Sequence, residues 1–560
     1  MMPDVEPGSS QQKKRVLIVG AGAAGMSCAD TLIQHPDKFD VTLVEAQDYC
    51  GGQMFSIPVD KEKHGAGWLN QGVQGGSHIY KHTFHMFGKL GYKPYPVNLQ
   101  VSFGKDETFW TNVFPTTLIV KHSKEIKRFS WVIKLMRWFQ LLFAVIPIRI
   151  TLKMFWFSDD FINCMIYPSL ALFLGTGNAT PHLPSILMVH LYTSPTYGMW
   201  YPPDPNSLTS NLPPMVVFPE ASKVYGDWKH TLEKKGVKIR LATEVARVIE
   251  RKDGKRSGWL PWGKKEKGGV KVAVRKTRGK GGESELQSED EGTVDEHQEE
   301  TIEEYDELVF CVLADTAKRI LGSQARWIEK KVLGATEWSD DVTITHTDLD
   351  YMKKWYELEF REDLAVRELP GRKDESARVE RALKKASKDG DGFKPMYLIK
   401  QTPSSPRKLE MSFDCTAFQH QFPDDLPLDK RVFQTIFLNK KDKDEWSLNE
   451  IDKSKIIKTS WWHQLCHSYT HYIFVVPLLF LLQKAGRKTH TTYAGSWTMV
   501  NAHEAAVISG VAAGWVLGAD YPLDVKDRLE GEGEKEEDRK FARLCFRLYL
   551  LLIHWRWYTG

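Results

Sequence analysis

The chain has little that would mark it for an oxidising compartment, a membrane interior or a nucleic acid. Its seven cysteines, Cys28, Cys50, Cys164, Cys311, Cys415, Cys466 and Cys545, form no CxxC pair. An odd, scattered set in a long chain argues for reduced thiols and an intracellular location, cytoplasmic or peripheral on an internal membrane. No uncharged apolar run reaches the roughly 18 residues that a bilayer span needs. Trp131 to Arg149 carries Lys134 and Arg137, and Ile473 to Leu482 is broken by Pro477; buried or interfacial helices suit both. Neither sign of charge dominates, since 76 basic and 72 acidic residues leave +4. No basic stripe with interleaved aromatics occurs outside the tail, which argues against nucleic acid. The first residues, MMPDVEPGSSQQKK, lack an apolar core, so a disordered leader over 1–14 and no secretory signal are expected. Nothing specifies an oligomeric state.

What is present is concentrated in KKRVLIVGAGAAGMSCADTLIQHPDKFDVTLVEA, residues 13 to 46. Arg15 to Val19 reads as a buried parallel strand, Gly20, Gly22 and Gly25 give GxGxxG, an amphipathic helix follows to about Gln34, and Val41 to Val44 reads as a second strand. Gly20 permits the tight turn, Gly22 leaves room for a pyrophosphate, and Gly25 lets helix and strand pack closely. The helix start stabilises an anion by roughly 0.3–1 kcal/mol per charge. Gly20, Gly22, Ala23, Ala24 and Gly25 are therefore candidate phosphate contacts. Glu45, twenty residues after Gly25 and next to Ala46, can accept ribose hydroxyls and disfavours a 2′-phosphate. Cys50-Gly51-Gly52-Gln53 then passes a double glycine close to the same nucleotide, a feature that simple nicotinamide dehydrogenases do not need. Far downstream, residues 493 to 519 read as a strand end, a glycine turn at Gly495, and a small-residue helix from about His503 to Leu517 suited to close packing.

These features resemble the two-dinucleotide-binding-domain flavoproteins: flavin amine oxidases, phytoene-desaturase-like enzymes and flavin-dependent fatty-acid double-bond isomerases. The resemblance implies FAD as cofactor. It extends to Val224-Tyr225-Gly226-Asp227-Trp228 leading a helix into the adenine-side strand around Val245, whose backbone matches the family's adenine contact, and to Tyr305–Cys311 as the strand that returns to the cofactor domain. Gln53 stands where the family often has arginine, so the pyrophosphate would be held there by neutral hydrogen bonds. Gly495, Ser496, Ala502 and Glu504 match the C-terminal cofactor motif, with Trp497 in place of an acidic residue beside the ribityl chain.

The implied class is α/β: a Rossmann-like FAD-binding domain assembled from discontinuous segments (15–95, 215–345 and 487–522), with an α+β substrate domain of mixed sheet plus helices (96–214 and 346–486). Residues 252–304 read as a charged surface insertion, with Val270 to Val274 a candidate strand. Residues 523–560 read as a charged hinge and an apolar, basic tail. In that tail, FARLCFRLYLLLIHWRWYTG, cationic and aromatic ends flank an apolar middle. It suits either peripheral membrane contact or docking on the protein's own surface.

In the resembling family the flavin does the redox chemistry. The helix starting near His503 is expected to point its amides at the flavin pyrimidine edge, making Asn501, Ala502 and His503 nearest neighbours. His503 is the candidate catalytic residue, able to donate to or exchange a proton with flavin or substrate; helix-end packing is its alternative role. His463, His467 and His471 have helical spacing but would climb about 12 Å, too far for one ion, so no metal is expected. Gly175-Thr176-Gly177 is a turn, interrupted by Pro181 and Pro184, and not a second fingerprint. The leading reading is an FAD-dependent oxidoreductase taking a hydride from an apolar or amine-bearing organic substrate. A redox-neutral flavin isomerase or desaturase of an unsaturated lipid and a non-catalytic flavin-binding scaffold are the alternatives.

Overall fold

The structure is a computed structural model that describes residues 12–175, 177–193, 214–253, 268–277, 299–369, 376–387, 392–402, 409–524 and 536–559. The expected leader lies almost wholly outside these residues, as does most of the charged insertion. Val16 to Val19 is apolar throughout because both faces of its strand are covered. That strand, Lys14–Val19, sits at the centre of a five-stranded sheet. Phe39–Val44 and then Lys238–Arg240 lie on one side, and Glu307–Phe310 and then Thr491–Tyr493 on the other. All four pairings are parallel. Five strands from four distant parts of the chain thus build one sheet, the discontinuous assembly expected from the sequence. The return strand is shorter than the Tyr305–Cys311 segment, because Thr301–Tyr305 belongs to an antiparallel three-stranded sheet with Thr243–Lys252 and Gly269–Lys276.

Two helices rest against each other on this sheet. Ala23–Leu32 is buried along its whole length, and His503–Leu517 brings glycines to it. A Cβ on Gly510 would lie 2.0 Å from the Ala24 carbonyl oxygen, and one on Gly514 would lie 2.8 Å from Thr31 Cγ2. The register, Gly510 on Ala24 and Gly514 on Thr31, advances in the same direction along both helices. They therefore run parallel, with both N-termini at one end.

The second unit is a seven-stranded mixed sheet, ordered Ile456–Leu465, Trp338–His346, Phe433–Phe437, Glu410–Asp414, Tyr397–Lys400, Val101–Phe103, Trp110–Thr111. Helices between residues 117 and 193 form a separate apolar core with part of it. Trp338–His346 pairs on both sides within this sheet. The boundary placed at residue 345 therefore moves to about residue 337: register with distant strands, invisible in the local pattern, assigns the segment.

The tail docks. Glu536–Tyr549 and the turn after it bury Ala542, Phe546, Tyr549, Leu550 and Ile553 in the cofactor-domain core. Phe546 stacks on Tyr521 with ring centroids 4.2 Å apart. The opposite face, Leu544, Leu548 and Leu552, stays exposed. Among the described residues no helix is long and apolar enough to cross a membrane.

Candidate cofactor and active site

The carboxyl ends of the parallel strands define the site, as open α/β sheets dictate. Gly20 has φ +102°, and a Cβ there would meet the Cys311 carbonyl oxygen at 2.7 Å. A Cβ on Gly25 would sit 1.8 Å from the Gly20 carbonyl oxygen, so this glycine sets the approach of helix to strand. Gly22 differs: its φ is −73°, and an added Cβ would find only Gly52 Cα, at 3.9 Å. Neither strain nor packing demands glycine there. Gly51 and Gly52 both hold positive φ, and the Gly51 amide donates to the Ala21 carbonyl at 3.0 Å. The two glycine turns therefore lie close against each other, an added Cβ on Gly52 meeting Gly22 Cα at 3.3 Å, and present backbone without side chains along this edge.

Both helix starts at this end lack a side-chain cap: Gly22 for Ala23–Leu32 and Ala502 for His503–Leu517. Parallel packing points the first-turn amides of both helices to the same side. Each carries the partial positive charge of a helix N-terminus, so the pair forms an anion-accepting edge.

Glu45 directly follows the strand Phe39–Val44. Its Oε2 accepts from the Ala21 amide at 2.7 Å and its Oε1 from the Gln47 amide at 3.0 Å. Burial pushes its carboxyl up, against the lowering effect of those amide bonds. Its backbone bridges the strands Lys238–Arg240 and Thr243–Lys252, donating to the Arg240 carbonyl at 2.9 Å and accepting from the Thr243 amide at 2.8 Å. Val245, buried, follows two residues on at the edge of a bulge, and the Ala46 carbonyl accepts from Thr277 Oγ1. Gln53 does not reach free into the groove, because its Nε2 donates to the His463 carbonyl at 3.1 Å.

At the other end, Gly495 has φ +137° and its amide donates to Ser509 Oγ at 2.8 Å. Ser496 Oγ lies 3.3 Å from Asn501 Oδ1. Trp497 is buried and donates from Nε1 to the Val312 carbonyl, so it serves as packing behind the turn. The Glu504 side chain points away from the groove. It accepts from the His82 and Thr83 amides at 2.9 Å each, from His82 Nδ1 and from Thr83 Oγ1, capping the helix Lys81–Lys89 from outside. Burial alone would raise its carboxyl, but these donors hold it below the ordinary range. Only its backbone is left to face a cofactor.

His503 is enclosed by Phe87 and Phe218. Since the Thr83 hydroxyl donates to Glu504, it accepts from His503 Nδ1 at 3.0 Å, leaving Nε2 to accept from the Tyr225 hydroxyl at 2.8 Å. Burial lowers its pKa to about 4. Both ring nitrogens are held by partners inside the protein, at the start of the helix His503–Leu517. Thr83 and Tyr225, those partners, lie hundreds of residues away in sequence and carry no local signal.

Similarity to known proteins agrees with this geometry. The NAD(P)-binding Rossmann-like domain family matches residues 18–90. No curated protein sequence matches the chain. Among solved structures, a protein of Exiguobacterium sp. 255-15 provisionally described as a protoporphyrinogen oxidase is 11% identical with a TM-score of 0.54, covering 90% of this chain and 99% of its own. A fatty acid isomerase of P. acnes that produces CLA is 14% identical, with a TM-score of 0.51 over 90% and 98%. Putrescine oxidase is 11% identical, with a TM-score of 0.52 over 90% and 99%. The chain shares its fold with these proteins.

In this fold the histidine triplet is not a helical stripe. His463 lies on the strand Ile456–Leu465, His467 in the following loop, and His471 in the next helical stretch. The spacing of four residues reads as helical, but pairing with Trp338–His346 makes the segment around His463 a strand. Among the described residues no group of three or more His, Cys, Asp or Glu side chains is placed to hold a metal ion.

His463 instead joins the two units. Its Nε2 donates to Asp315 at 2.8 Å and its Nδ1 to Asp340 at 2.5 Å. Those bonds, Asp315 first, outweigh burial and raise its pKa from 6.5 to about 9. A raised histidine pKa stabilises the fold fully below the unfolded value and loses that contribution as pH rises through the folded one. The thermal midpoint is therefore expected to fall between pH 6.5 and about 9. His463→Gln should flatten this slope, as read by calorimetry across that range; an unchanged slope in the variant contradicts the assignment.

Proposed function

We propose that the chain is an FAD-dependent oxidoreductase that takes a hydride from an apolar or amine-bearing organic substrate. The observation that carries this reading is the pair of parallel, uncapped helix starts beside two facing glycine turns. Such an edge suits a ligand with negative charge at two separated points. Glu45 would hold the adenosine ribose, the Val245 backbone the adenine, Gly22 and Gly52 the pyrophosphate, and the amides after Ala502 the pyrimidine end of the ring system. Bound FAD supplies the two-electron acceptor that no protein side chain offers. The protein's own groups bind, orient and exclude water. His503, through Tyr225 and Thr83, fixes where the second helix begins, and Gly495 and Ser496 hold the turn before it.

The likeness to a fatty acid isomerase supports a second reading in which hydride leaves an unsaturated lipid and returns to another of its carbons. Anaerobic mixing separates the two. An amine or lipid substrate of the oxidoreductase bleaches the flavin band and, on admission of air, consumes oxygen. An isomerase substrate instead changes its own diene absorbance with no net oxygen uptake. If neither response occurs across amines and unsaturated fatty acids, the oxidoreductase proposal fails.

A further inference from the structure

One surface of the molecule is apolar where it should be polar. The helix Ser123–Trp138 buries Ile126, Phe129, Val132, Ile133 and Met136 on its inner face. Its outer face carries Lys127, Trp131, Lys134 and Trp138, at spacings of four, three and four residues, all exposed. Trp131 is 59% exposed and Trp138 86%. The chain continues through Leu141, 91% exposed, and returns along the helix Ile148–Met154 to Trp156, 83% exposed. The Trp156 carbonyl accepts from Arg128 on the first helix, which ties the returning strand of chain back to the first. Ile150 and Met154 lie outward on the return helix, next to Arg149 and Lys153.

Single tryptophans on a surface need no explanation, but three exposed within one short stretch of chain, with Leu141, Ile150 and Met154 exposed beside them in sequence, mark a contact site. Its charge identifies the partner. From Ile126 to Ser158 there are six lysines and arginines and no aspartate or glutamate. Among the described residues none of Lys127, Lys134, Arg137, Arg149 and Lys153 has a carboxylate partner. Cations alternating with outward tryptophans and leucines match a surface with acyl chains beneath a layer of negative charge. Among the described residues no helix is long and apolar enough to cross a membrane.

We propose that the helical hairpin 127–156 docks the protein onto an anionic lipid bilayer. The docked C-terminal helix also leaves an outward stripe, Leu544, Leu548 and Leu552, exposed. This proposal is independent of the cofactor reading.

The test is cosedimentation of the full-length protein with phosphatidylcholine vesicles, with and without phosphatidylserine. The wild type should bind the phosphatidylserine vesicles, more weakly at high salt. The triple variant Trp138→Ser/Leu141→Ser/Trp156→Ser should bind at least tenfold more weakly with an unchanged melting temperature, since all three side chains are exposed. Lys134→Glu/Arg149→Glu should lose about fivefold or more per cation. Leu548→Ser/Leu552→Ser, which leaves the buried tail face intact, should cause a smaller loss than the hairpin triple. Wild-type protein remaining in the supernatant overturns the proposal, as does a triple variant that binds like wild type. Self-association in light scattering that the triple variant abolishes, without vesicle binding, would assign the face to a second copy of the chain and equally overturn it.

Discussion

Gly25→Val is expected to abolish the cofactor domain, whereas Gly22→Val should leave it folded and empty. At position 25 the first added carbon would sit 1.8 Å from a backbone oxygen, Gly20 O, which no rotamer change relieves. The strand and the helix must part, at or above the roughly 3 kcal/mol upper end of ordinary overpacking costs. At position 22 the backbone already has φ −73°, which any residue adopts, and the nearest atom to an added Cβ is 3.9 Å away. The valine side chain instead covers the bare backbone edge that the two glycine turns present. Melting temperature and cofactor content, measured together, therefore separate: both collapse in the first variant, and only cofactor content falls in the second. A Gly22→Val protein that retains full cofactor would remove the pyrophosphate from this edge.

Gly510→Val carries the second large effect. Its Cβ would lie 2.0 Å from the Ala24 carbonyl oxygen and 2.3 Å from Ser27 Oγ. Ser27 Oγ also donates to the Val507 carbonyl, so the seam has no slack. Forcing the helices apart should cost about 3 kcal/mol or more. It should also move the His503 end away from the Gly22 end, lowering cofactor affinity even in molecules that stay folded. Gly226→Ala is the matched control with the opposite sign. That helical glycine has nothing within 4 Å of an added Cβ, and alanine should stabilise by roughly 0.5–1 kcal/mol. Denaturant titration reads both; equal midpoints for Gly510→Val and wild type would refute the close seam.

What could be read from the sequence was what local spacing determines. Gly20, Gly22, Gly25 and Glu45 sit within one strand-helix-strand unit, where turn geometry and helix period leave few arrangements. The helix His503–Leu517 was legible for the same reason, its small residues announcing a close neighbour. What escaped depended on partners far along the chain. Trp338–His346 looks like any strand until its pairing with Ile456–Leu465 is known. Glu504 matched a cofactor motif, yet its carboxylate is taken by the start of the helix Lys81–Lys89. His503 sat at the right helix end, but Thr83 and Tyr225 claim its nitrogens. The tail offered an apolar helix with two uses, and the fold docks one face, Phe546 and Tyr549, while Leu544 and Leu548 stay exposed.

All of the proposed chemistry rests on the groove between Gly22, Gly52 and the two helix starts holding FAD. The direct measurement is the visible spectrum of the purified protein, followed by heat release and mass identification of the chromophore. The account predicts a yellow protein that releases FAD in about equal amount to polypeptide. A folded preparation that is colourless and remains so after incubation with FAD would contradict it.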